Sequence, residues 1–304
     1  MSGLYFNSSM NDVERREGLY QGDLFVYSAT PSSRGLCEFA RSMCEEAFAP
    51  HHPTDAQHHM PVQQYVEILA ELKPKFIHHP ESKKLIQAML GEFGCEMQTT
   101  YFDVPRLRTM THDGYLSSGL GTVFPPHRDT WYSPPQCQLV WWFPIYEIEA
   151  SNAMAFHPNY WDVPVENSSS EFNYQHWAAH GRTIAADQVT KDTREFSRPT
   201  EPMDLEPQVR IVPEPGGAIV FSGAQMHSTV PNTSGRTRLS IDIRTINLDD
   251  VEADRGAANI DDASTGSSLM DYRRCSDLEY VSEELFERHL SRKRSARQAT
   301  ATLC

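Results

Sequence analysis

Apolar residues in the first third of the chain recur at three- and four-residue intervals, the period of a helix that buries one face. VQQYVEILAELK and ESKKLIQAML, both between Pro61 and Phe93, show this spacing. SSRGLCEFARSMCEEAF shows it too, behind a serine suited to an N-cap. Ahead of that helix, after a polar start, the Val/Tyr/Phe content of YQGDLFVYSAT predicts a strand. Residues 1–97 are therefore expected to form a mostly helical support.

From about Gln98 the pattern changes to short β-branched and aromatic segments broken by Gly and Pro: TTYFDVPRLRTM, QLVWWFPIYEI, NAMAFHP, QVRIVPE, GGAIVFSG and TRLSIDIRTI. Many short strands with turns between them predict a sandwich or barrel over 98–248. A polar insertion at 162–206 with one helical stretch, EFNYQHWAAHG, is long enough for a lid or substrate loop, and a surface excursion fits it equally. Residues 249–269 are acidic, small and turn-rich, as in a flexible linker, and SDLEYVSEELFERHLSRKR predicts a closing helix. The expectation is one domain over 1–304, mainly β with flanking helices (α+β), with 249–304 as linker and C-terminal helix.

Composition narrows the classes. A chain of 304 residues with 39% hydrophobic content can bury a sizeable core. No apolar run reaches the length of a membrane helix, and MSGLYFNSSMNDVERREG lacks a signal layout, so a cytoplasmic protein without membrane association is expected. Cys37, Cys44, Cys95, Cys137, Cys275 and Cys304 are scattered and read as reduced thiols. A net charge of −14 argues against a nucleic-acid partner. The basic cluster RKRSAR reads as the solvated end of a helix. Monomer and homodimer are both left open.

Among 13 histidines, the pairs His51/His52, His58/His59 and His78/His79 sit in connecting stretches without a third ligand. His157 ends a strand, where a satisfied polar residue or a pocket wall both fit. His127, Asp129 and His227 differ. In His-Arg-Asp the first and third side chains project to one face of an extended backbone, and GGAIVFSGAQMHSTVPN delivers His227 to a strand end. Two imidazoles and one carboxylate leave coordination positions open, the donor set of non-haem iron(II) oxygenases, so iron is preferred to zinc.

Eleven residues beyond His227 stands Arg238, then Ser240, with Leu239, Ile241 and Ile243 on the opposite strand face. A planar guanidinium suits a fixed carboxylate. Arg236, Arg238 and Arg244 share one parity. Arg244 lies about 20 Å along the strand from Arg238, and Arg236 adjoins a turn, which leaves Arg238 as the anchor.

With PPHRDTW, NAMAFHPNYW and PEPGGAIVFSGAQMHSTVPNTSGRTRLSIDIRTI, the chain resembles the iron(II)/2-oxoglutarate-dependent dioxygenases, within them the phytanoyl-CoA dioxygenase branch. The resemblance implies a double-stranded β-helix (jelly-roll, cupin-like) core with helices against the larger sheet. It implies iron(II) on His127, Asp129 and His227, with 2-oxoglutarate as cosubstrate, its far carboxylate on Arg238 and Ser240, and O₂ as oxidant. NAMAFHPNYW departs from the branch's usual Pro-Gly-Ser-His strand ending, so substrate contacts are not carried over there.

The implied reaction is oxidation, first of all hydroxylation, of an unactivated C–H of a small molecule in a biosynthetic tailoring step, with succinate and CO₂ as coproducts. Desaturation or cyclisation by the same cofactors is the alternative, and Asp129 disfavours halogenation. A non-catalytic jelly-roll binding protein and a zinc hydrolase are the rivals from other classes. Gln138 shares a strand face with Trp142 and is a candidate for the cosubstrate's other carboxylate. Tyr101, Trp131, Tyr132, Trp142, His157 and Trp161 are candidate pocket residues, each with core packing as the competing account. Arg128 and Arg182 suit either an anionic substrate or solvent, with solvent favoured.

Overall fold

The computed structural model describes residues 3–182 and 184–303. The helices are α1 (Asp12–Tyr20), α2 (Pro31–Phe48), α3 (Val62–His78), α4 (Pro80–Glu92), α5 (Tyr174–His180), α6 (Leu248–Glu252) and α7 (Glu283–Leu303). The strands are β1 (Leu4–Phe6), β2 (Leu24–Tyr27), β3 (Thr100–Phe102), β4 (Arg106–Met110), β5 (Leu139–Pro144), β6 (Met154–Phe156), β7 (Val209–Ile211), β8 (Ala218–Ser222), β9 (His227–Thr229), β10 (Arg238–Asn247) and β11 (Arg273–Arg274). The result is an α+β chain, helical first and β-rich afterwards, as the change of period near Gln98 predicts.

Two sheets form. The larger runs β1-β2-β8-β5-β10-β3-β11, with β4 also on β10, and the smaller runs β7-β6-β9. Among the described strands only β1 and β2 pair in parallel. Alternation along the strands assigns two faces. Leu139, Trp141, Phe143, Ala218, Val220, Leu239, Ile241 and Ile243 pack with the helices. Val140, Trp142, Ile219 and Phe221 meet Met154, Phe156 and Ile211 of the smaller sheet. Each such buried side chain contributes about 1.5–3 kcal/mol, so a one-residue slip that turned this face outward would be strongly disfavoured.

The helical layer follows its sequence period. In α2 the buried residues Leu36, Cys37, Ala40, Cys44 and Phe48 form one stripe. Its cap is Thr30, followed by Pro31 in the first turn, in place of the expected serine. The polar start also holds an unexpected helix, α1, opened by a reciprocal capping box between Asn11 and Glu14. At the other end, residues 276–282 turn through Leu278 at φ 66, so α7 begins at Glu283 rather than near Ser276.

The segment expected as a flexible linker is built into the fold. Asp250 accepts from Tyr20 Oη at 2.8 Å and from Arg16 and Arg255. Asp261 accepts from Trp131 Nε1 at 2.7 Å and Arg128 Nε at 3.1 Å. Asp250 and Asp261 thus serve buried donors, while Asp249, Glu252 and Asp254 stay exposed. In the basic cluster Arg292 donates to the Glu252 carbonyl and Lys293 pairs with Asp262, while the side chains of Ala296 and Arg297, and Cys304, lie outside the described residues. The other five cysteines are buried and unpaired, and burial pushes the Cys37 and Cys44 thiols up to about 12. No helix among the described residues is long and apolar enough to cross a membrane.

Candidate metal centre

Between the sheets lies a cavity of about 250 Å³. His127 and His227 enter it from adjacent backbones that exchange hydrogen bonds, and β6 flanks β9 on its other side with Phe156 opposite His227. Arg128 is extended at φ −106 and ψ 139, so His127 and Asp129 project to one side as the His-x-Asp spacing predicts. Asp129 then opens a single 3-10 turn ending at Ser133, whose φ is 63. The three side chains offer ligand atoms that all lie within 4.8 Å of one another, and all three are buried.

The imidazoles are oriented for a metal. His127 Nδ1 is 2.8 Å from the Pro125 carbonyl and His227 Nδ1 is 2.9 Å from the Gln225 carbonyl. A carbonyl can only accept, so each Nδ1 carries the proton and each Nε2 presents a lone pair to the cavity. Asp129 Oδ1 faces both, at 3.5 Å from His127 Nε2 and 3.9 Å from His227 Nε2. Burial, then the neighbouring His127, pushes His227 down to about 3, so it stays neutral. Burial opposes the charge of Asp129, but the Arg244 guanidinium on Oδ2 holds its carboxyl well below the usual range.

Arg238 is also buried in the cavity wall. Its Nη1 donates to the Asn152 and Ala153 carbonyls at 2.9 and 3.2 Å, and its guanidinium lies 5.4 Å from the centre of the Trp142 ring. No carboxylate pairs with it among the described residues, and both its Nε and the Ser240 hydroxyl are buried without a hydrogen-bond partner. A buried cation lacking a counterion is costly, and burial lowers Arg238 to about 10. Arg236 is exposed, 3.9 Å from Asp55.

The remaining candidates divide. Gln138, Tyr132 and Trp142 line the cavity. The Gln138 amide, however, is engaged by the protein: Nε2 donates to Asp129 Oδ2 at 3.3 Å and Oε1 accepts from Tyr272 Oη at 2.8 Å. Four residues expected as pocket lining do not reach it. Tyr101 is core on β3 and Trp131 is fully buried with its indole N–H on Asp261. His157 is satisfied by Ser228 Oγ at 2.9 Å and the Leu205 carbonyl at 3.2 Å. Trp161 covers Gly22, where φ is +92 and a Cβ would come within 2.6 Å of the indole.

Arg128, expected in solvent, is 1% exposed and braced by Asp261 and the Ala224, Tyr160 and Val163 carbonyls. Arg182 lines the cavity, pairs with Asp271 and stacks on Tyr174 and Trp177. The insertion supplies Phe172, Tyr174, Trp177, Arg182, Arg194 and Phe196 to the wall. It is fastened by Ser118 Oγ to the Gln188 and Val189 carbonyls and by Arg194 to the Gly119 carbonyl.

Sequence reasoning missed Asp242 and Arg108 and weighed Arg244 only as a rival anchor to Arg238. Arg244 Nε donates to Asp129 Oδ2 at 2.9 Å and Nη1 to Asp242 Oδ2 at 2.7 Å, while Arg108 grips Asp242 with Nε and Nη2 at 2.6 and 3.2 Å. For Asp242 and Arg244 the signal was present as charged residues alternating along one face of the otherwise apolar β10, whereas Arg108 lies across from them on β4.

No family model and no curated protein matches the chain. Among solved structures it is similar to EvdO2 from Micromonospora carbonacea var. aurantiaca, at 13% identity over 79% of this chain and 92% of that one, with a TM-score of 0.44. It is similar to SnoN, a non-heme alpha ketoglutarate dependent epimerase from nogalamycin biosynthesis, at 13% identity over 78% and 84%, with a TM-score of 0.40. It is also similar to the non-heme monooxygenase ThoJ, at 14% identity over 76% of each chain, with a TM-score of 0.41.

Proposed function

We propose that this chain is an oxygenase that binds iron(II) through His127, Asp129 and His227 and consumes 2-oxoglutarate and O₂ to oxidise a C–H bond of a small molecule. The observation that carries the reading is the buried, carboxylate-free Arg238 in the cavity that also holds the triad. Its unpartnered Nε and the unpartnered Ser240 hydroxyl fit the far carboxylate of a dicarboxylic acid. A zinc hydrolase gives no role to that arginine.

Bound there, iron would supply O₂ activation, with 2-oxoglutarate oxidised to succinate and CO₂, one oxygen atom entering succinate and the other the hydroxylated product, or leaving as water in desaturation or cyclisation. The chain's own residues do the rest. The Nδ1–H bonds to Pro125 and Gln225 hold both imidazoles in the tautomer that binds metal. Arg238 positions the cosubstrate. Phe172, Tyr174, Trp177 and Phe196 enclose the reacting region and exclude water. We read the facing sheets as a double-stranded β-helix, the insertion as the substrate loop, and hydroxylation as the first outcome, with desaturation or cyclisation following from the same site.

Purified protein supplied with iron(II), 2-oxoglutarate and air should form succinate, and omission of any one of the three should stop it. Metal-loaded protein that leaves 2-oxoglutarate unconsumed and binds none of it would overturn the proposal.

A further inference from the structure

The two oxygens of Asp129 have different surroundings. Oδ1 faces the histidine Nε2 atoms, whereas Oδ2 accepts from Arg244 Nε at 2.9 Å and from Gln138 Nε2 at 3.3 Å. The donors are themselves fixed. Arg244 is gripped by Asp242 through Nη1, and its backbone N–H donates to Asp103 Oδ1 at 3.0 Å. Gln138 must turn its NH₂ toward Asp129, because an ionised carboxylate only accepts, and Tyr272 Oη at 2.8 Å completes the other end of the amide. Gly223 closes the space behind, since a Cβ there would come within 2.8 Å of Gln138 Nε2.

Taking the cavity as the iron(II) and 2-oxoglutarate site proposed above, we propose that Arg244, assisted by Gln138, is a positioning residue that restricts Asp129 to binding metal through Oδ1 alone. The free oxygen is held by two donors and cannot swing onto the metal. Three positions would then stay open, two for a chelating keto acid and one for O₂, whereas a second Asp129 oxygen would take one of them and contend with the keto acid. A guanidinium beside a cation site opposes metal binding by like charge, so strengthening the metal is not what Arg244 contributes. Its expected signature is a split: keto-acid binding depends on it and iron binding does not.

Arg244→Gln, Arg244→Lys and Gln138→Met separate the two. Iron(II) affinity is measured anaerobically by calorimetry, 2-oxoglutarate affinity by titration of the visible absorption of the iron-saturated protein, and folding by thermal unfolding. Arg244→Gln should weaken 2-oxoglutarate binding by about tenfold or more while iron(II) affinity stays within about threefold. Arg244→Lys should restore part of the loss, because an ammonium still donates to Oδ2 but lacks the second prong. Gln138→Met leaves the buried charges paired, so it tests the idea even if Arg244→Gln does not fold, and it should show the same split at smaller size. Unchanged 2-oxoglutarate binding in Gln138→Met and in the folded Arg244 variants would overturn the assignment, and so would a loss that only follows loss of iron. Wild-type protein that binds no iron through His127, Asp129 and His227 would overturn the reading of the site itself.

Discussion

His127 and His227 are joined through their main chains: each backbone N–H donates to the other's carbonyl, at 2.9 and 3.0 Å. Side-chain truncation leaves both bonds in place. His227→Ala should therefore keep its fold and lose its metal. Thermal unfolding with and without iron(II) checks this, because a ligand that binds only the folded state raises its stability by mass action. An undiminished iron-induced shift in the variant would show that His227 is not a ligand.

Acid should destabilise the metal-free protein in two stages. His227 has a folded value of about 3 against 6.5 for the free side chain, so below pH 6.5 the unfolded chain takes up a proton that the folded one refuses. Stability is then lost as pH falls from 6.5 toward 3. Asp242 is lowered to about 2 from 3.8, so its contribution is complete above 3.8 and disappears from there toward 2. His289, lowered to about 4, adds to the first stage. Urea unfolding at several pH values should give a shallower decline between pH 6.5 and 4 for His227→Gln than for wild type. Parallel curves would remove His227 from the account.

Arg238→Ala should raise the 2-oxoglutarate requirement by about 1.5–3 kcal/mol of lost charge-assisted bonding, with iron affinity little changed, and Arg238→Lys should recover part of it. Equilibrium titration of both ligands measures the difference. A larger loss in Arg236→Ala than in Arg238→Ala would mean that the wrong arginine has been assigned.

How much of this was legible in the chain depends on where each signal resides. The alternation of Leu239, Ile241 and Ile243 against Arg238 and Ser240 is local, and the strand reproduces it. The His-x-Asp spacing is likewise local and survives because Arg128 is extended. The partners of Arg128 are not local. Asp261 sits in a stretch whose acidic, small-residue composition looks like solvated linker, and only the fold shows that it meets buried donors. The six-position offset between Arg238 and Arg244 excludes a shared small ligand, yet that spacing says nothing of Asp129, which arrives from a distant part of the chain. For Trp161 and His157, aromatic or imidazole chemistry beside the motif suggested the pocket, while packing on Gly22 and Ser228 directs them elsewhere.

The integration of residues 249–269 has a stability consequence. Arg128→Met leaves Asp261 buried without its ion-pair partner and should cost about 3–5 kcal/mol by urea unfolding. Arg128→Met combined with Asp261→Asn should recover part of that cost, since no lone charge then remains buried. A single-variant loss below about 1 kcal/mol, the size of an exposed pair, would mean that the segment is not the brace described.

The most direct test of the central claim is the visible spectrum of the anaerobic protein given one equivalent of iron(II) and then 2-oxoglutarate. Chelation of a keto acid to iron(II) produces a metal-to-ligand charge-transfer band, and neither component produces it alone. The account predicts that the band appears in wild-type protein, saturates with 2-oxoglutarate, and is absent from His227→Ala. A fully metallated wild-type protein that shows no band at saturating 2-oxoglutarate would contradict it.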